Sequence, residues 1–335
     1  MFAALLLMAL AAQPADSVLV IAHRGASGDR PEHTLAAYRL AIEAGADVIE
    51  PDVVSTKDGV LIARHENEIS GTTDVAAHSE FADRRTTKTI DGEAVTGWFT
   101  EDFTLAEIKT LRAVERLPAL RPGSAAYDGQ FEVPTLAEVI ALAARLGAER
   151  GRPVGLYPET KHPTYFRSVG LPLDEPLVAL LHEAGYRSPG DPVWIQSFET
   201  GNLRRLRGLT DLRLVFLAHP GGRPFDQPAT TYDTLLAPDR LGEVTAFADA
   251  LGVGKRFVLT EAGEDTGFAE AAHAAGLDVH VWTVRAENVF LLPAFRLGAA
   301  EAAHGDVGAE VRALAEAGVD GVFTDHTRLV VEALR

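Results

Sequence analysis

The segment VLVIAHRGASGDRPEHTLAAYRLAIEAGADVIEPDVV, residues 18–54, contains a strand, a helix and a second strand. Its apolar ends, 18–23 and 48–54, have the length and composition of strands that are buried on both faces. Apolar residues recur at helical spacing over 35–42, and Gly45 stands where a left-handed residue commonly ends a helix. This order predicts two parallel strands joined by a crossover helix.

The same alternation continues to the end of the chain. Further strand candidates lie at 154–160, 193–198, 213–218, 249–259, 279–284 and 321–325. Helical patterns lie between them, over 135–146, 173–184, 267–275 and 307–317. Eight parallel strand candidates predict the α/β class and, within it, a (β/α)8 TIM-type barrel.

One strand candidate, 60–65, follows the strand at 48–54 too closely for a crossover helix. The Asp58-Gly59 pair between them is typical of a hairpin turn. We therefore predict an antiparallel hairpin over 48–65, which would bring His65 close to the acidic residues of the preceding strand.

The stretch that follows, about 66–133, is rich in polar residues, Gly and Pro, and poor in strand pattern. A stretch of this length inside a barrel is more often a functional insertion than a linker. The expected organisation is one barrel domain over 16–335 with an inserted subdomain at about 66–133.

The chain begins with MFAALLLMALAAQPADS, an apolar run followed by small residues. This resembles the apolar core and the cleavage end of a secretory signal, although no Lys or Arg precedes the run. The sequence predicts a signal peptide at 1–15 and a periplasmic or secreted protein. The alternative is a plain apolar leader or a misassigned start.

The composition excludes several kinds of site and partner. The net charge of −17 argues against nucleic acid and against an anionic membrane surface as main partners. The absence of cysteine excludes disulfides, zinc–thiolate sites and thiol nucleophiles. No later stretch approaches the roughly 20 apolar residues of a membrane span, so we expect no stable membrane insertion. A small-molecule substrate is expected, and the oligomeric state is left open.

Polar residues recur at the carboxyl ends of the strand candidates, where barrel enzymes carry their active sites. These residues are His23, Arg24, Glu50, Asp52, His65, Glu159, Lys161, Gln196, Trp282 and Asp325. Packing alone does not explain so many polar side chains at the ends of apolar strands.

Glu50, Asp52 and Glu159 are the candidate metal ligands. Glu50 and Asp52 are two residues apart on one strand, so their side chains share a face and repel unless a cation or a proton joins them. A set of oxygen ligands suits one hard divalent cation, Ca²⁺ or Mg²⁺. The alternative is an ion network in which Arg24 and Lys161 pair with these carboxylates.

His23 and His65 are candidates for proton transfer, because imidazole accepts and donates protons near neutral pH. Arg24 and Lys161 can bind a phosphate, and Trp282 can form a wall for an apolar or polyol group. For each residue alone, a structural role is the more common explanation. Taken together, the set indicates metal-assisted phosphodiester cleavage. His33 is assigned no role, and Glu32 is expected to support either the loop or the residues that surround the site, without binding the metal.

The sequence resembles the glycerophosphodiester phosphodiesterase family over roughly residues 18–333. The similarity is carried by AHRGASGDRPEHTLAAYRLAIEAGADVIEPDVVSTKDGVLIARHE and, later, by YPETKHP, WIQSF, VHVWTVRAEN and DGVFTDH. GTTDVA and FTEDFTLAEIKTL resemble the exported bacterial branch of that family.

The resemblance implies a TIM-type barrel with an insertion, and hydrolysis of glycerophosphodiesters to glycerol 3-phosphate and an alcohol. It implies His23 and His65 as the catalytic pair and Glu50, Asp52 and Glu159 as metal ligands. It further implies phosphate contacts from Arg24 and Lys161, and substrate-binding roles are expected for Gln196 and Trp282 at their strand ends.

Two positions depart from the family pattern. Glu66 follows the second histidine where the family usually has Asp, and Pro51 separates the two predicted ligands of one strand. The longer Glu66 side chain is expected either to orient His65 differently or to leave it free, and Pro51 predicts a frayed or bulged strand because it has no N–H to donate.

Two other functions remain open from the sequence. One is a phospholipase D-like transphosphatidylase of related fold, acting on a lipid headgroup. The other is a non-catalytic binding protein that kept the barrel, which predicts a loss of site residues that the sequence does not show.

Overall fold

The computed structural model describes residues 18–335, so the predicted signal peptide at 1–15 lies outside the described residues. The strands are β1 Leu19–His23, β2 Val48–Glu50, β3 Asp52–Ser55, β4 Leu61–Ala63, β5 Thr86–Ile90, β6 Glu93–Gly97, β7 Gly155–Leu156, β8 Glu159–Thr160, β9 Trp194–Ser197, β10 Arg213–Ala218, β11 Ala250–Gly254, β12 Asp278–Val284 and β13 Gly321–Thr324.

The α-helices of this region are α1 Leu35–Glu43, α2 Leu105–Ile108, α3 Pro122–Ala125, α4 Leu136–Glu149, α5 Pro163–Ser168, α6 Asp174–Glu183, α7 Thr200–Arg207, α8 Tyr232–Leu235, α9 Leu241–Val244, α10 Phe268–Ala274, α11 Val307–Glu316 and α12 Thr327–Leu334. Among residues 18–335, no helix combines the length and the apolar character that a membrane crossing requires.

Eleven strands form one sheet in the order β4-β3-β8-β9-β10-β11-β12-β13-β1-β2-β7. Its strand pairings are parallel except that of β3 with β4, which is the predicted antiparallel hairpin. Helices connect most of the successive parallel strands, which confirms the α/β class.

Two strands of this sheet are interrupted by proline. Pro51 alone separates β2 from β3, and Tyr157 and Pro158 separate β7 from β8. Backbone hydrogen bonds continue across both breaks: the N–H of Tyr157 donates to the carbonyl of Ile49, and that of Glu159 to the carbonyl of Pro51, each at 3.0 Å. The strand therefore breaks at Pro51 as predicted, while the two halves on each side remain aligned.

The helix boundaries follow local capping signals. Thr34 precedes α1, and its side chain accepts a hydrogen bond from the N–H of Ala37. Thr135 and Glu138 form a capping box at the start of α4. Gly45, after α1, has a φ of 104°, as expected for the left-handed residue that ends the helix.

A small apolar cluster fills the inner side of the sheet, apart from the larger core between sheet and helices. It contains Ile21, Val48, Tyr157, Trp194, Val215, Ala250 and Phe323. Four of these each lie two residues before a predicted site residue: Ile21 before His23, Val48 before Glu50, Tyr157 before Glu159 and Trp194 before Gln196. Residues two apart on a strand point to the same side, so the apolar cluster forms the floor on which the polar strand ends rest.

The region predicted as an insertion contains a hairpin that the sequence analysis did not predict. β5 pairs with β6 in antiparallel register, and Asp91-Gly92 forms the turn between them. Most residues of both strands are exposed, so they lack the apolar alternation by which strands are usually found. The Asp-Gly pair was the available signal, as at Asp58-Gly59.

Candidate active site

A pocket of about 420 Å³ opens at the carboxyl ends of the parallel strands. The predicted site residues that line it are His23, Arg24, Glu50, His65, Glu159, Lys161, Gln196 and Trp282. Phe198, Leu217, Thr283, Arg285 and Phe323 complete the lining. Asp52, which is 1% exposed, lies beside Glu50 and Glu159. The structure thus brings all nine predicted residues to one place.

The turn after β1 places His23 and Arg24 at the pocket. Arg24 and Gly25 have φ angles of 61° and 84°, so the chain turns sharply there. A Cβ on Gly25 would lie 2.6 Å from the carbonyl carbon of Ala37, far inside van der Waals contact. The backbone N–H of Arg24 donates to Glu50 at 2.9 Å. The turn therefore requires glycine at position 25.

The three candidate metal ligands form one buried cluster. Glu50, Asp52 and Glu159 each offer a carboxylate oxygen within 4.8 Å of the others, and they are 1%, 1% and 6% exposed. Among residues 18–335, this is the only group of three or more acidic or histidine side chains placed to hold a metal ion.

Cationic side chains contact this acidic cluster, as the alternative ion network requires. Lys161 Nζ lies 2.7 Å from Glu159 and 3.2 Å from Asp52, and Arg24 Nε lies 3.3 Å from Asp52. Lys161 is the main charge that holds the pKa of Asp52 well below its ordinary value against the opposing effect of burial. Burial and the neighbouring carboxylates nevertheless raise the pKa of Glu50 well above its ordinary value. Burial likewise raises the pKa of Glu159 to about 8.

The raised pKa values of Glu50 and Glu159 indicate that Arg24 and Lys161 do not neutralise all three carboxylates. Within the described chain, Oε1 of Gln196 is buried without a hydrogen-bond partner, and Oδ1 of Asp52 has only the Lys161 ammonium beside it, at 3.2 Å. Gln196 also donates to Glu50 at 2.8 Å, so its amide belongs to the same cluster. Buried oxygens with excess negative charge are the ligands that Ca²⁺ and Mg²⁺ prefer, and the residues present therefore fit such an ion.

His33, to which the sequence analysis assigned no role, contacts this cluster. It is fully buried, and its Nε2 lies 2.9 Å from Asp52 while its Nδ1 lies 2.7 Å from the hydroxyl of Tyr38. His33 therefore orients the Asp52 carboxylate from the side away from Lys161. A single loop histidine between a strand and a helix carries no sequence signal for such a contact.

His23 is hydrogen-bonded to a carboxylate at the end of β13. Its Nδ1 donates to Asp325 at 2.6 Å. Arg121 and Arg285 donate to the other oxygen of Asp325, at 2.6 and 2.8 Å. Burial and the Arg24 charge lower the pKa of His23 to about 4 in spite of Asp325. The imidazole is therefore neutral at neutral pH, with Nε2 left to accept a proton.

His65 has a matching carboxylate partner in the next residue. Its Nδ1 is hydrogen-bonded to Glu66, which Arg116 contacts through both carboxylate oxygens at 2.9 and 2.6 Å. Burial and the Arg24 and Lys161 charges lower the pKa of His65 to about 3. The longer Glu66 side chain thus reaches both His65 and Arg116, and the departure from Asp leaves the histidine oriented.

Aromatic side chains also line the pocket. The indole N–H of Trp282 donates to the carbonyl of Gly252 at 3.0 Å, and its ring packs edge-to-face on Phe198 with centroids 5.8 Å apart. These contacts hold the two rings as an apolar part of the pocket lining.

Comparison with known proteins places this pocket in a family. Residues 23–329 match the glycerophosphoryl diester phosphodiesterase family. The chain belongs to this family. The match runs from the last residue of β1 into α12 and includes every residue of the candidate site, so the predicted family and the prediction of an enzyme of this class are confirmed.

Two relatives span most of the chain. A glycerophosphodiester phosphodiesterase of Arabidopsis thaliana, GDPD6, is 35% identical over 324 residues, which cover 92% of this chain and 83% of the relative. A glycerophosphodiester phosphodiesterase of Haemophilus influenzae is 30% identical over 348 residues, covering 95% of this chain and 90% of the relative.

Solved structures share the fold. A glycerophosphodiester phosphodiesterase from Agrobacterium tumefaciens superposes with a TM-score of 0.59 at 22% identity, covering 94% of this chain and 99% of the other. A phosphodiesterase from Oleispira antarctica, in complex with the product sn-glycerol-3-phosphate, superposes with a TM-score of 0.60 at 22% identity, covering 95% and 96%.

Proposed function

We propose that this chain hydrolyses glycerophosphodiesters to glycerol 3-phosphate and an alcohol, using one divalent cation and two histidines. The observation that carries the proposal is the pocket itself, in which two histidine–carboxylate pairs stand beside a buried cluster of three carboxylates. The names of the two long relatives and the product bound to the Oleispira phosphodiesterase support the same substrate class.

Glu50, Asp52 and Glu159 would hold the cation. When bound, Ca²⁺ or Mg²⁺ would supply positive charge that stabilises the phosphate oxygens. Arg24 and Lys161 line the same pocket and add two further positive charges opposite the phosphate. These charges stabilise the additional negative charge that develops on the phosphate oxygens during the reaction.

The histidines move the protons. His23 accepts the proton of the substrate 2-hydroxyl as that oxygen attacks phosphorus, which gains the advantage of an intramolecular reaction. The bond from phosphorus to the alcohol breaks, and His65 donates a proton to the departing oxygen. The negative phosphate beside His65 favours the protonated imidazole that this step needs.

A cyclic glycerol phosphate results, and the histidines then exchange roles. His65 accepts a proton from water as the water oxygen attacks phosphorus, and His23 returns a proton to the 2-oxygen as the ring opens. The products are glycerol 3-phosphate and the free alcohol, and both histidines regain their starting protonation.

The test is glycerol 3-phosphate release from a panel of headgroup diesters, before chelation, after chelation, and with Ca²⁺ or Mg²⁺ restored. The expected result is turnover that disappears on chelation and returns with one of the ions. Full activity after exhaustive chelation would reject the metal site. Transfer of the phosphatidyl group to an added alcohol, or binding without turnover, would favour the transphosphatidylase or the binding protein.

We further propose that the sheet is a closed (β/α)8 barrel. Joining β2 to β3 and β7 to β8 across their proline breaks leaves eight parallel strand positions. Each then has a neighbour on both sides, from β1 through β13 and back to β1. A lone parallel bridge from Leu156 to Val193, just before β9, supports the same closure.

We also propose export from the cytoplasm, on the strength of the apolar leader. Amino-terminal sequencing of the protein from its native host is expected to find a mature chain that begins near residues 12–18. An intact Met1 in the cytoplasmic fraction would exclude this proposal.

A further inference from the structure

One short segment of the insertion contacts the carboxylate partners of both pocket histidines. This positioning segment is Glu115–Arg121, and its two arginines are five residues apart. Arg116 contacts the partner of His65, and Arg121 contacts the partner of His23. His23 ends β1 and His65 lies just after β4. The segment therefore contacts the surroundings of both proposed proton carriers.

Arg116 lies between two carboxylates. Its Nη1 and Nη2 donate to Glu66 at 2.9 and 2.6 Å. Its Nε and Nη2 donate to Glu32 at 3.0 and 2.6 Å. Glu66 in turn accepts from His65, and Glu32 accepts from Arg24 at 3.0 Å. One guanidinium therefore orients both the partner of a proton carrier and the partner of a phosphate-binding arginine.

Arg121 makes the corresponding contacts on the other side. Its Nη2 donates to Asp325 at 2.6 Å, its Nε donates to Glu287 at 2.6 Å, and its Nη1 donates to the carbonyl of Ser27 at 3.1 Å. The hydroxyl of Ser27 donates to the carbonyl of His23 at 2.8 Å. Arg121 thus contacts both the Asp325 carboxylate and the loop that carries His23.

The segment is held in place by its own hydrogen bonds. The Glu115 carboxylate accepts from the N–H of Leu117 at 2.8 Å and from the hydroxyl of Ser124 at 2.5 Å. The N–H of Arg121 donates to the carbonyl of Leu117 at 2.9 Å, which closes a turn between the two arginines. A rigid segment can transmit its position to the side chains that it contacts.

We infer that Glu115–Arg121 positions both proton-carrying histidines, through Arg116 and Glu66 on one side and Arg121 and Asp325 on the other. This inference deepens the proposed function and rests on it. Arg116 and Arg121 are positioning residues, since each acts through a carboxylate.

The electrostatics support this role. Burial alone would raise the pKa of Asp325, but the charges of Arg285 and Arg121 hold it well below the ordinary value. Contacts with His65 and Arg116 likewise outweigh burial and lower the pKa of Glu66. Both carboxylates therefore stay ionised, and an ionised acceptor keeps the proton of each imidazole on Nδ1 and leaves Nε2 free for the reaction.

The first test compares leaving groups. Arg116→Ala is assayed by single-turnover alcohol release from glycerophosphocholine and from its 4-nitrophenyl counterpart, with enzyme and cation in excess. Choline needs protonation as it leaves and nitrophenol does not. We expect Arg116→Ala to lower the rate about 10- to 100-fold for the choline diester and no more than about 3-fold for the nitrophenyl diester. The larger loss is a part of the about 10²–10⁴-fold that a proton carrier contributes to the rate.

Arg121→Ala is expected to slow both substrates equally, because His23 removes the same hydroxyl proton in each. Arg285 still contacts Asp325 in this variant, so the expected loss is about 10-fold. If Arg121→Ala, and not Arg116→Ala, slows the choline diester more than the nitrophenyl diester, the positioning role is kept. The acid and base roles assigned to His65 and His23 are then exchanged. Arg116→Lys and Arg121→Lys keep the charge and are expected to recover part of the rate.

Arg112→Ala is the matched control in the same stretch. Arg112 donates to the backbone carbonyls of Lys109, Thr110 and Leu111, so its loss disturbs the insertion and leaves both histidine pairs intact. It is expected to keep the full rate with both substrates. A purely structural role for Arg116 predicts equal losses for the two substrates, and that result would overturn the inference for this side.

The second test does not depend on turnover. In histidine-labelled protein, ¹⁵N chemical shifts of the His65 and His23 rings, assigned with His65→Gln and His23→Gln, are expected to report the Nδ1–H form. Arg116→Ala should mix the tautomers of His65 alone, and Arg121→Ala those of His23 alone. Unchanged tautomers in both variants would refute the positioning role, whereas an absence of diester turnover in the unmodified chain would refute only the proposed function.

Discussion

Each of the two histidines is hydrogen-bonded through Nδ1 to a carboxylate that an arginine contacts, but the two are expected to contribute differently to the first chemical step. His23→Ala and His65→Ala should each lower the rate for glycerophosphocholine by about 10²–10⁴-fold, the usual contribution of a positioned proton carrier. With a nitrophenyl diester, His65→Ala should be the milder change, because nitrophenol leaves without a proton. Single-turnover alcohol release with both substrates measures this difference.

A diester of 2-deoxy glycerol tests the same residues from the substrate side. It lacks the hydroxyl from which His23 takes a proton, so it should bind and turn over poorly. Hydrolysis at the natural rate would mean that water attacks directly and that the cyclic intermediate does not form.

The buried carboxylates provide a second test at the scale of single residues. Asp52→Asn removes one negative charge from the cluster and should weaken Ca²⁺ or Mg²⁺ binding about 10-fold or more, because ligand charge sets the affinity for these ions. Calorimetric titration of chelator-treated protein measures the affinity. Glu264→Gln, on the exposed surface, is the matched control and should bind as the unmodified chain does. Equal affinities in all three proteins would place the cation elsewhere.

At the scale of an element, the junction between β1 and α1 depends on one glycine. An alanine at position 25 would have an unfavourable positive φ and a Cβ 2.6 Å from the backbone of Ala37. We expect Gly25→Ala to lower the free energy of unfolding by about 2–4 kcal/mol, combining backbone strain and overpacking. Urea unfolding measures the change.

Gly151→Ala is the matched control for this junction. Gly151 has a φ of 71°, and within the described chain no atom lies within 4 Å of an added Cβ. Gly151→Ala should therefore lower the free energy of unfolding by about 1–2 kcal/mol, the contribution of backbone strain alone. Equal losses in the two variants would show that the close approach of Ala37 contributes nothing.

For the molecule as a whole, Asp47 joins distant parts of the chain at the amino-terminal ends of the strands. Its carboxylate accepts from the N–H of Val20 at 3.0 Å, and it pairs with Arg152 and Arg335, each at 2.7 Å. Burial opposes the ionised form, but these contacts outweigh it and lower the pKa below the ordinary 3.8. The carboxylate thus stabilises the fold where it is ionised.

The sign of this shift defines a pH dependence. A lowered pKa in the folded state gives stability that is fully present above the unfolded-state pKa and is lost as the pH falls through the folded-state pKa. Asp47→Asn should therefore cost about 1–3 kcal/mol at pH 7 and less at pH 3, where the contribution has begun to decline. Urea unfolding of both proteins at the two pH values measures the difference, and an equal cost at both would contradict the assignment.

The sequence by itself determined the elements of this protein and the residues at their ends. Apolar runs such as 18–23 predict buried strands, and Asp58-Gly59 predicts a turn, because these signals act between neighbours in the chain. Period-two alternation also places Glu50 and Asp52 on one side of their strand before any fold is known. With the rule that barrel strands carry chemistry at their carboxyl ends, most of the polar residues that line the pocket could be predicted.

Tertiary structure alone decided how those residues are held. Arg121 and Asp325 are 204 residues apart, and Arg116 and Glu32 are 84 apart. His33 contacts Asp52 only because the turn after β1 folds back over the next strand. Charged residues in polar loops carry no periodic pattern, since their partners come from other elements. Which of them meet, and which histidine nitrogen is hydrogen-bonded, follows from how residues 66–133 pack against the rest of the chain.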